Sequence, residues 1–244
     1  MHYFHAFLAL LLVGNMSLWS VESAPPEDNG LSERLKFAQQ HHDFKMCCLK
    51  IHEQEFMRLA QNGQAPQSLL ITCSDSRVMP SLIFGLKVGD MFEIRNAGNF
   101  VPEYDPQIDW DGIAASIQYG IEALNITDII VCGHSHCGAI QGLYKDLKKE
   151  MPLVSKWLKF GQPAKDLVMA NGDKGLTNAQ KYALTEKVSV LFQLEHLATY
   201  PFIKKRLEEK KLFLHGWYVD IASGEVSYYD TTTMQFRPLV SLLR

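Results

Sequence analysis

The chain has 244 residues, 47% of them hydrophobic and 21% charged, which is enough apolar material for a sizeable buried core. Its 24 Lys and Arg against 27 Asp and Glu leave a net charge of −3, so nothing argues for nucleic acid or an anionic membrane as partner. Five cysteines are odd in number and too few for a disulfide scaffold.

The first residues form an apolar block, Ala6 to Val13, followed by small and polar residues to Ala24 and then Pro25-Pro26-Glu27-Asp28-Asn29-Gly30. The block is too short to span a bilayer and suits the core of a secretory signal, with Val21 and Ser23 as the pair before the cleavage point. Residues 1–23 are therefore expected to be an export signal. The mature protein, 24–244, would be one domain, periplasmic or secreted, with no membrane attachment once the signal is removed. The leader carries His2 and His5 but no Lys or Arg, and a retained N-terminal anchor is the alternative.

From Leu31 to about residue 62 the apolar residues recur at helical spacing, through Leu35, Ala38, Phe44, Cys48, Ile51, Phe56 and Leu59, and Asn62-Gly63 ends the helix. His41-His42 reads as a bend or a solvated face. Neighbouring Cys47 and Cys48 bridge poorly, and the apolar helix face is where Cys48 is expected. Ser68 to Thr72 is a continuous apolar run, the pattern of a strand buried on both faces. A helical or looped stretch from Pro80 to Val88 leads to a second strand, Asp90 to Arg95, and the turn Asn96-Ala97-Gly98-Asn99.

A helix from Asp109 carries Ile113, Ile117, Ile121 and Leu124 on one stripe. Asp128 to Cys132 is a third strand, and Cys137 opens a helix bearing Ile140, Leu143, Tyr144 and Leu147. Pro152 to Gly175 reads as irregular, with Pro163 and the turn-like Asn171-Gly172-Asp173. Thr177 with Gln180 forms a capping box for a long helix whose Leu184, Val188, Leu191, Leu194 and Ala198 face inward. A helix from Pro201 to about Lys211 follows. Leu212 to Asp220 is a fourth strand, and Ser223-Gly224 turns it into a fifth, Glu225 to Asp230, antiparallel at an edge. The alternation predicts an α/β fold with a mostly parallel central sheet of about five strands flanked by helices, preceded by a helical segment.

Two strands end in chemistry. Leu69-Leu70-Ile71 stops at Cys73-Ser74-Asp75-Ser76-Arg77, and Ile129-Ile130-Val131 stops at Gly133-His134-Ser135-His136-Cys137. Open α/β sheets place their ligands at such carboxyl ends. Cys73, His134 and Cys137 form a Cys₂His set suited to zinc, and a site with three protein ligands keeps a fourth position open. A closed structural site draws its ligands in two local pairs, whereas here the first stretch supplies one cysteine and then a carboxylate, Asp75. Cys132 and His136 read as structural. A thiolate phosphatase fails, because the three residues between Cys73 and Arg77 cannot form its cradle of backbone amides.

Together, Cys73-Ser74-Asp75-Ser76-Arg77, Arg95-Asn96-Ala97-Gly98-Asn99, the loop from Gly133 to Gly138 and His215-Gly216-Trp217 resemble the β-class carbonic anhydrases, from about residue 31 to the end. The resemblance implies a metalloenzyme with one Zn²⁺ per chain that interconverts carbon dioxide with bicarbonate and a proton through a zinc-bound hydroxide. It implies a homodimer or a dimer of dimers, with residues 31–62 as a helical dimerisation arm. By position it makes Cys73, His134 and Cys137 the zinc ligands and Asp75 with Arg77 the catalytic dyad, Asp75 becoming a fourth ligand in a closed state. Gln64 resembles a substrate-pocket glutamine that reaches in from the other subunit. Phe92, Ala97 and Tyr119 match pocket-lining positions, and Gly98 one close to the metal.

Two thiolates give the metal more negative charge than three histidines do, which implies better activity at alkaline pH. Relatives with an inhibitory bicarbonate site carry a tryptophan where this chain has Leu70, so that off-switch is expected to be missing. Hydrolysis of carbon disulfide or carbonyl sulfide, and a non-catalytic zinc module closed by Asp75, are the competing readings. Arg77, which would compete with zinc for Asp75, argues against the closed module.

Overall fold

A computed structural model of the chain describes residues 30–108, 111–172 and 175–243. The expected export signal lies outside the described residues. These residues form two compact units that divide between Glu53 and Gln54. The first is helical throughout: α1, Leu31–Asp43, a π-helical turn, Phe44–Cys48, and the start of α2, Leu49–Asn62. Helical turns continue through His41 and His42, so the paired histidines are solvated and make no bend. Nothing in α1 or the π turn is buried, and Cys48 is exposed, not packed in an apolar face as expected. A unit that is only helix has no second element of its own to cover a stripe.

The second unit is built on a sheet with strand order β2-β1-β3-β4-β5-β6. The strands are β1, Ser68–Cys73, β2, Met91–Asn96, β3, Asp128–His134, β4, Phe213–Val219, β5, Val226–Asp230, and β6, Gln235–Pro238. The first four are parallel, β5 is antiparallel to β4, and β6 pairs antiparallel with β5. The sheet therefore has six strands, and the edge expected at β5 is covered by the short β6. Only four residues long and mostly exposed, β6 carries too little apolar pattern to be read as a strand.

The apolar runs divide by alternation. Leu69, Ile71, Ile129 and Val131 pack with Ile117, Ile121, Ile126, Val190 and Leu197 on one face. Leu70, Ile130 and Cys132 face the other way, with Val219, Trp217 and Phe84. Both faces are covered, as the unbroken hydrophobic runs require. Leu70 is fully buried there, beside a Trp217 ring whose centroid lies 5.4 Å from that of Phe84.

Between strands run α3, Pro80–Ile83, α4, Gly112–Gln118, with a π turn at Tyr119–Ala123, and α5, Gly138–Gly142. Asp111 caps α4 through its side chain. α5 is shorter than expected and leaves Tyr144 and Leu147 in the turns beyond it. The stretch read as irregular is helical: α6, Pro152–Trp157, a 3-10 segment, Leu158–Gly161, and α7, Gln162–Gly172. Pro152 and Pro163 stand in first turns, where the missing N–H costs nothing, so they start these helices rather than break them. The capping box of Thr177 and Gln180 opens α8, Asn178–Ala198, and α9, Pro201–Glu208, follows.

The inward face of α8 differs from the one expected. Leu184 is exposed, while Thr185, Glu186, Ser189, Val190, Gln193, His196 and Leu197 are buried. Glu186, Gln193 and His196 face inward because they bond loop backbone that the sheet leaves unpaired. Gln193 accepts from Val101 N–H at 2.8 Å and donates to the Phe160 carbonyl at 3.2 Å. His196 Nδ1 meets the Val101 carbonyl at 2.7 Å. Gly133 of β3 allows the close approach, since a methyl there would come within 2.8 Å of Val190 Cγ2.

Candidate metal centre

β1 and β3 are adjacent and parallel, so their carboxyl ends bring Cys73 beside the loop that begins at His134. That loop turns sharply at His136, whose φ of 58° lies in the left-handed region, and Cys137 sits at the N-cap of α5. The ligand atoms of Cys73, His134 and Cys137 all lie within 4.8 Å of one another, and all three residues are buried.

Three observations fit this group to a metal cation. His134 Nδ1 lies 2.9 Å from the Ser135 carbonyl, which assigns that nitrogen the proton and leaves Nε2 with a free lone pair. Nε2 is buried and has no hydrogen-bond partner. The two thiols divide their ionisation: Cys73 is lowered well below the ordinary thiol value by the Cys137 thiol, despite burial and with help from His134 and the Gly98 N–H. Cys137 is pushed up by the Cys73 thiolate and by burial. One negative charge and one proton thus share a site where a cation would replace the proton. Burial pulls the His134 imidazole down, but the Cys73 thiolate outweighs it and the net shift is upward. Two thiolates and an imidazole suit zinc.

Asp75 stands two residues beyond Cys73, and Arg77 holds both of its oxygens. Nε donates to Oδ1 at 2.9 Å, Nη2 to Oδ2 at 2.8 Å, and the Arg77 backbone N–H to Oδ1 at 3.0 Å. Arg77 keeps the carboxyl ionised far below the usual range. The same guanidinium donates to the His136 carbonyl at 3.1 Å, tying the dyad to the ligand loop. Arg95 of β2 fastens the first loop from beneath by donating to the carbonyls of Cys73, Asp75 and Val78.

Gly98 donates its N–H to Cys73 Sγ at 3.3 Å, with φ at +90°. A methyl there would meet the Phe100 ring at 2.7 Å and the Ala139 methyl at 2.9 Å, so packing requires glycine. Gly98→Ala should cost about 1–3 kcal/mol through backbone strain and overpacking, because Phe100 is fully buried and cannot yield. Thermal unfolding of the variant checks this.

Sequence reasoning missed Glu186. It is buried on α8, accepts from the Cys137 N–H at 2.9 Å through Oε1, and accepts from the Tyr218 hydroxyl at 2.8 Å through Oε2. Burial pushes its carboxyl up against those two hydrogen bonds. Ser135 fixes the loop from the other side, accepting from the Ile221 N–H at 2.8 Å. The signal was a polar stripe at helical spacing, Glu186, Ser189, Gln193 and His196, which resembles a solvated face. Glu186→Gln removes one acceptor from this buried pair of bonds and should weaken metal binding about 10–100-fold, the usual effect of losing a partner that orients a ligand. Competition against a chromophoric zinc chelator measures it.

The remaining expected pocket residues divide. Ala97 lies by the metal loop, its carbonyl accepting from Trp157 Nε1 at 2.7 Å, and it lines an apolar cavity of about 240 Å³ with Gly138, Ala139 and Leu158. Phe92 and Tyr119 meet each other, ring centroids 5.9 Å apart, but away from their own chain's thiolates. Phe92 pairs in register with Leu69 while Cys73 pairs with Asn96. That places Phe92 four strand positions, about 13 Å, toward the amino end. Gln64 is exposed before β1 begins, at that same amino end.

Residues 68–226 match the family model for carbonic anhydrase. The chain belongs to the carbonic anhydrase family, in its β class. It is 43% identical over 184 residues to a carbonic anhydrase of Synechococcus elongatus, covering 75% of this chain and 66% of that relative's own length. Among solved structures, the β-carbonic anhydrase CcaA superposes with a TM-score of 0.80 at 40% identity, covering 85% of this chain and 92% of that one. The tetrameric β-carbonic anhydrases of Sordaria macrospora match at a TM-score of 0.69 and 27% identity, covering 82% and 96%. These likenesses bear out the α/β fold expected from the strand and helix alternation.

Proposed function

We propose that the chain is a zinc carbonic anhydrase that interconverts carbon dioxide with bicarbonate and a proton. The observation that carries this is the buried Cys73, His134 and Cys137 group, with its unpartnered His134 Nε2, beside a carboxylate already claimed by arginine. Those three residues would hold one Zn²⁺ per chain, which supplies the Lewis acidity that lets water ionise near neutral pH.

The chain's own residues set the rest. Asp75 keeps free lone pairs beyond its bonds to Arg77, so it accepts a hydrogen bond from the reacting water and turns the water's remaining lone pair toward carbon dioxide. Arg77 holds that carboxylate ionised and aimed, and withholds it from the position that must stay open. Arg95 and Glu186 fix the two loops, so the dyad and the ligands keep their spacing. The lining beside Ala97 is apolar except for Lys145, which suits a substrate that carries no charge.

A homodimer, or a dimer of such dimers, completes the pocket. Gln64, Phe92 and Tyr119 gather at the opposite strand ends from their own chain's metal group, which supports a role at a second subunit's site, with 31–62 as the dimerisation arm. The relatives from Sordaria macrospora are tetrameric. The apolar leader supports export of the mature chain to the periplasm or beyond. Isotope exchange tests the reaction: the zinc-loaded protein should speed loss of ¹⁸O from labelled carbon dioxide into water. Exchange no faster than in buffer would refute it.

A further inference from the structure

A cavity of about 340 Å³ adjoins the one beside Ala97, sharing Gly142, Lys145, Leu147 and Leu158 with it, and is bounded by the turns after α5, by α6, the 3-10 segment and α7. Four lysines line it: Lys145 and Lys148 from the turns, Lys159 from the 3-10 segment and Lys165 from α7. We propose that this cavity binds a phosphorylated small molecule carrying two or more negative charges.

The charge distribution argues first. The chain as a whole is acidic, at −3, yet one cavity is lined by four lysines and a single acidic residue, Asp146. Asp146 offsets one of these charges without pairing directly with any of the four; its Oδ1 accepts from the Lys148 backbone N–H at 3.2 Å. Among the described residues, no carboxylate forms an ion pair with Lys145, Lys148, Lys159 or Lys165. A concave site lined by one sign of charge focuses its field and concentrates counter-ions.

The four lysines are not equivalent. Lys165 is already placed, its Nζ donating to the Leu143 carbonyl at 2.8 Å and lying 5.0 Å from the Tyr144 ring centroid. Tyr144 is held in turn by the Thr185 hydroxyl at 2.7 Å. Lys145, Lys148 and Lys159 remain for the ligand, as compact, flexible donors suited to phosphate oxygens. Leu147 and Leu158 add an apolar wall, which a phosphate ester can use and a bare anion cannot. The volume falls in the small-molecule range. At about 340 Å³ it is too small for a nucleic-acid groove or a membrane surface.

Calorimetric titration of the zinc-loaded full chain tests the assignment, with fructose 1,6-bisphosphate as probe and fructose and inorganic phosphate as comparisons. The bisphosphate should saturate one site per chain, fructose should give no heat, and inorganic phosphate should bind more weakly. The double variant Lys145→Gln/Lys159→Gln should weaken bisphosphate binding by about tenfold or more, having lost two charge-assisted contacts. Lys204→Gln/Lys205→Gln, on α9, should leave it unchanged. No saturable binding, or equal binding by the Lys145→Gln/Lys159→Gln variant, would overturn the site. Inorganic phosphate binding as tightly as the bisphosphate would overturn the ester.

Discussion

Asp75→Asn should keep its zinc and lose about 10²–10³-fold in the rate of carbon dioxide hydration, the usual effect of removing one preorganised hydrogen-bonding group from a reacting centre. Asn has nearly the shape of Asp, so the loop can fold. What changes is the chemistry at two atoms. Arg77 presents two donors to Oδ1 and Oδ2, and an amide nitrogen at either position opposes donor to donor. The amide also carries no charge for the guanidinium to hold. The pair is partly exposed, Arg77 at 49% and Asp75 at 16%, so the ion pair itself adds little stability and the unfolding temperature should barely move. Metal analysis beside the rate separates this from loss of the ion: a fall in zinc content matching the fall in rate would contradict the role given to Asp75.

Cys137→Ser should lose the metal. A serine hydroxyl stays protonated at neutral pH where a thiolate would bind, and the set falls from three good donors to two. Zinc affinity should drop by more than about 10²-fold, beyond the 10–100-fold typical of partners that only orient ligands. The backbone N–H of residue 137 would still donate to Glu186, so the loop keeps its other attachment. Because the metal stabilises only the folded chain, the wild type should melt at a temperature that rises with added zinc while the variant's stays flat. Zinc-dependent melting that survives in the variant would place the metal elsewhere.

The parallel sheet was legible because its strands are unbroken apolar runs separated by helical periodicity. The metal group was legible because Cys73 and His134 end two such runs, and adjacent parallel strands bring their ends together. Local pattern failed where tertiary bonding reversed it. The inward face of α8 was expected at Leu184, Val188, Leu191, Leu194 and Ala198, yet loop N–H and C=O groups draw Glu186, Gln193 and His196 inward. Pro152 and Pro163 read as breakers, yet in first turns proline opens a helix. β6 was invisible because an exposed four-residue strand carries almost no pattern. Gln64, Phe92 and Tyr119 came from the resemblance alone, since no spacing within one chain connects them to the thiolates.

Stopped-flow hydration of carbon dioxide by purified residues 24–244, with zinc determined on the same sample, tests the central claim most directly. Fast turnover with about one zinc per chain, higher at pH 8.5 than at pH 7, is the expected result. Full zinc with no hydration at either pH would contradict it and leave a closed structural site or a different substrate.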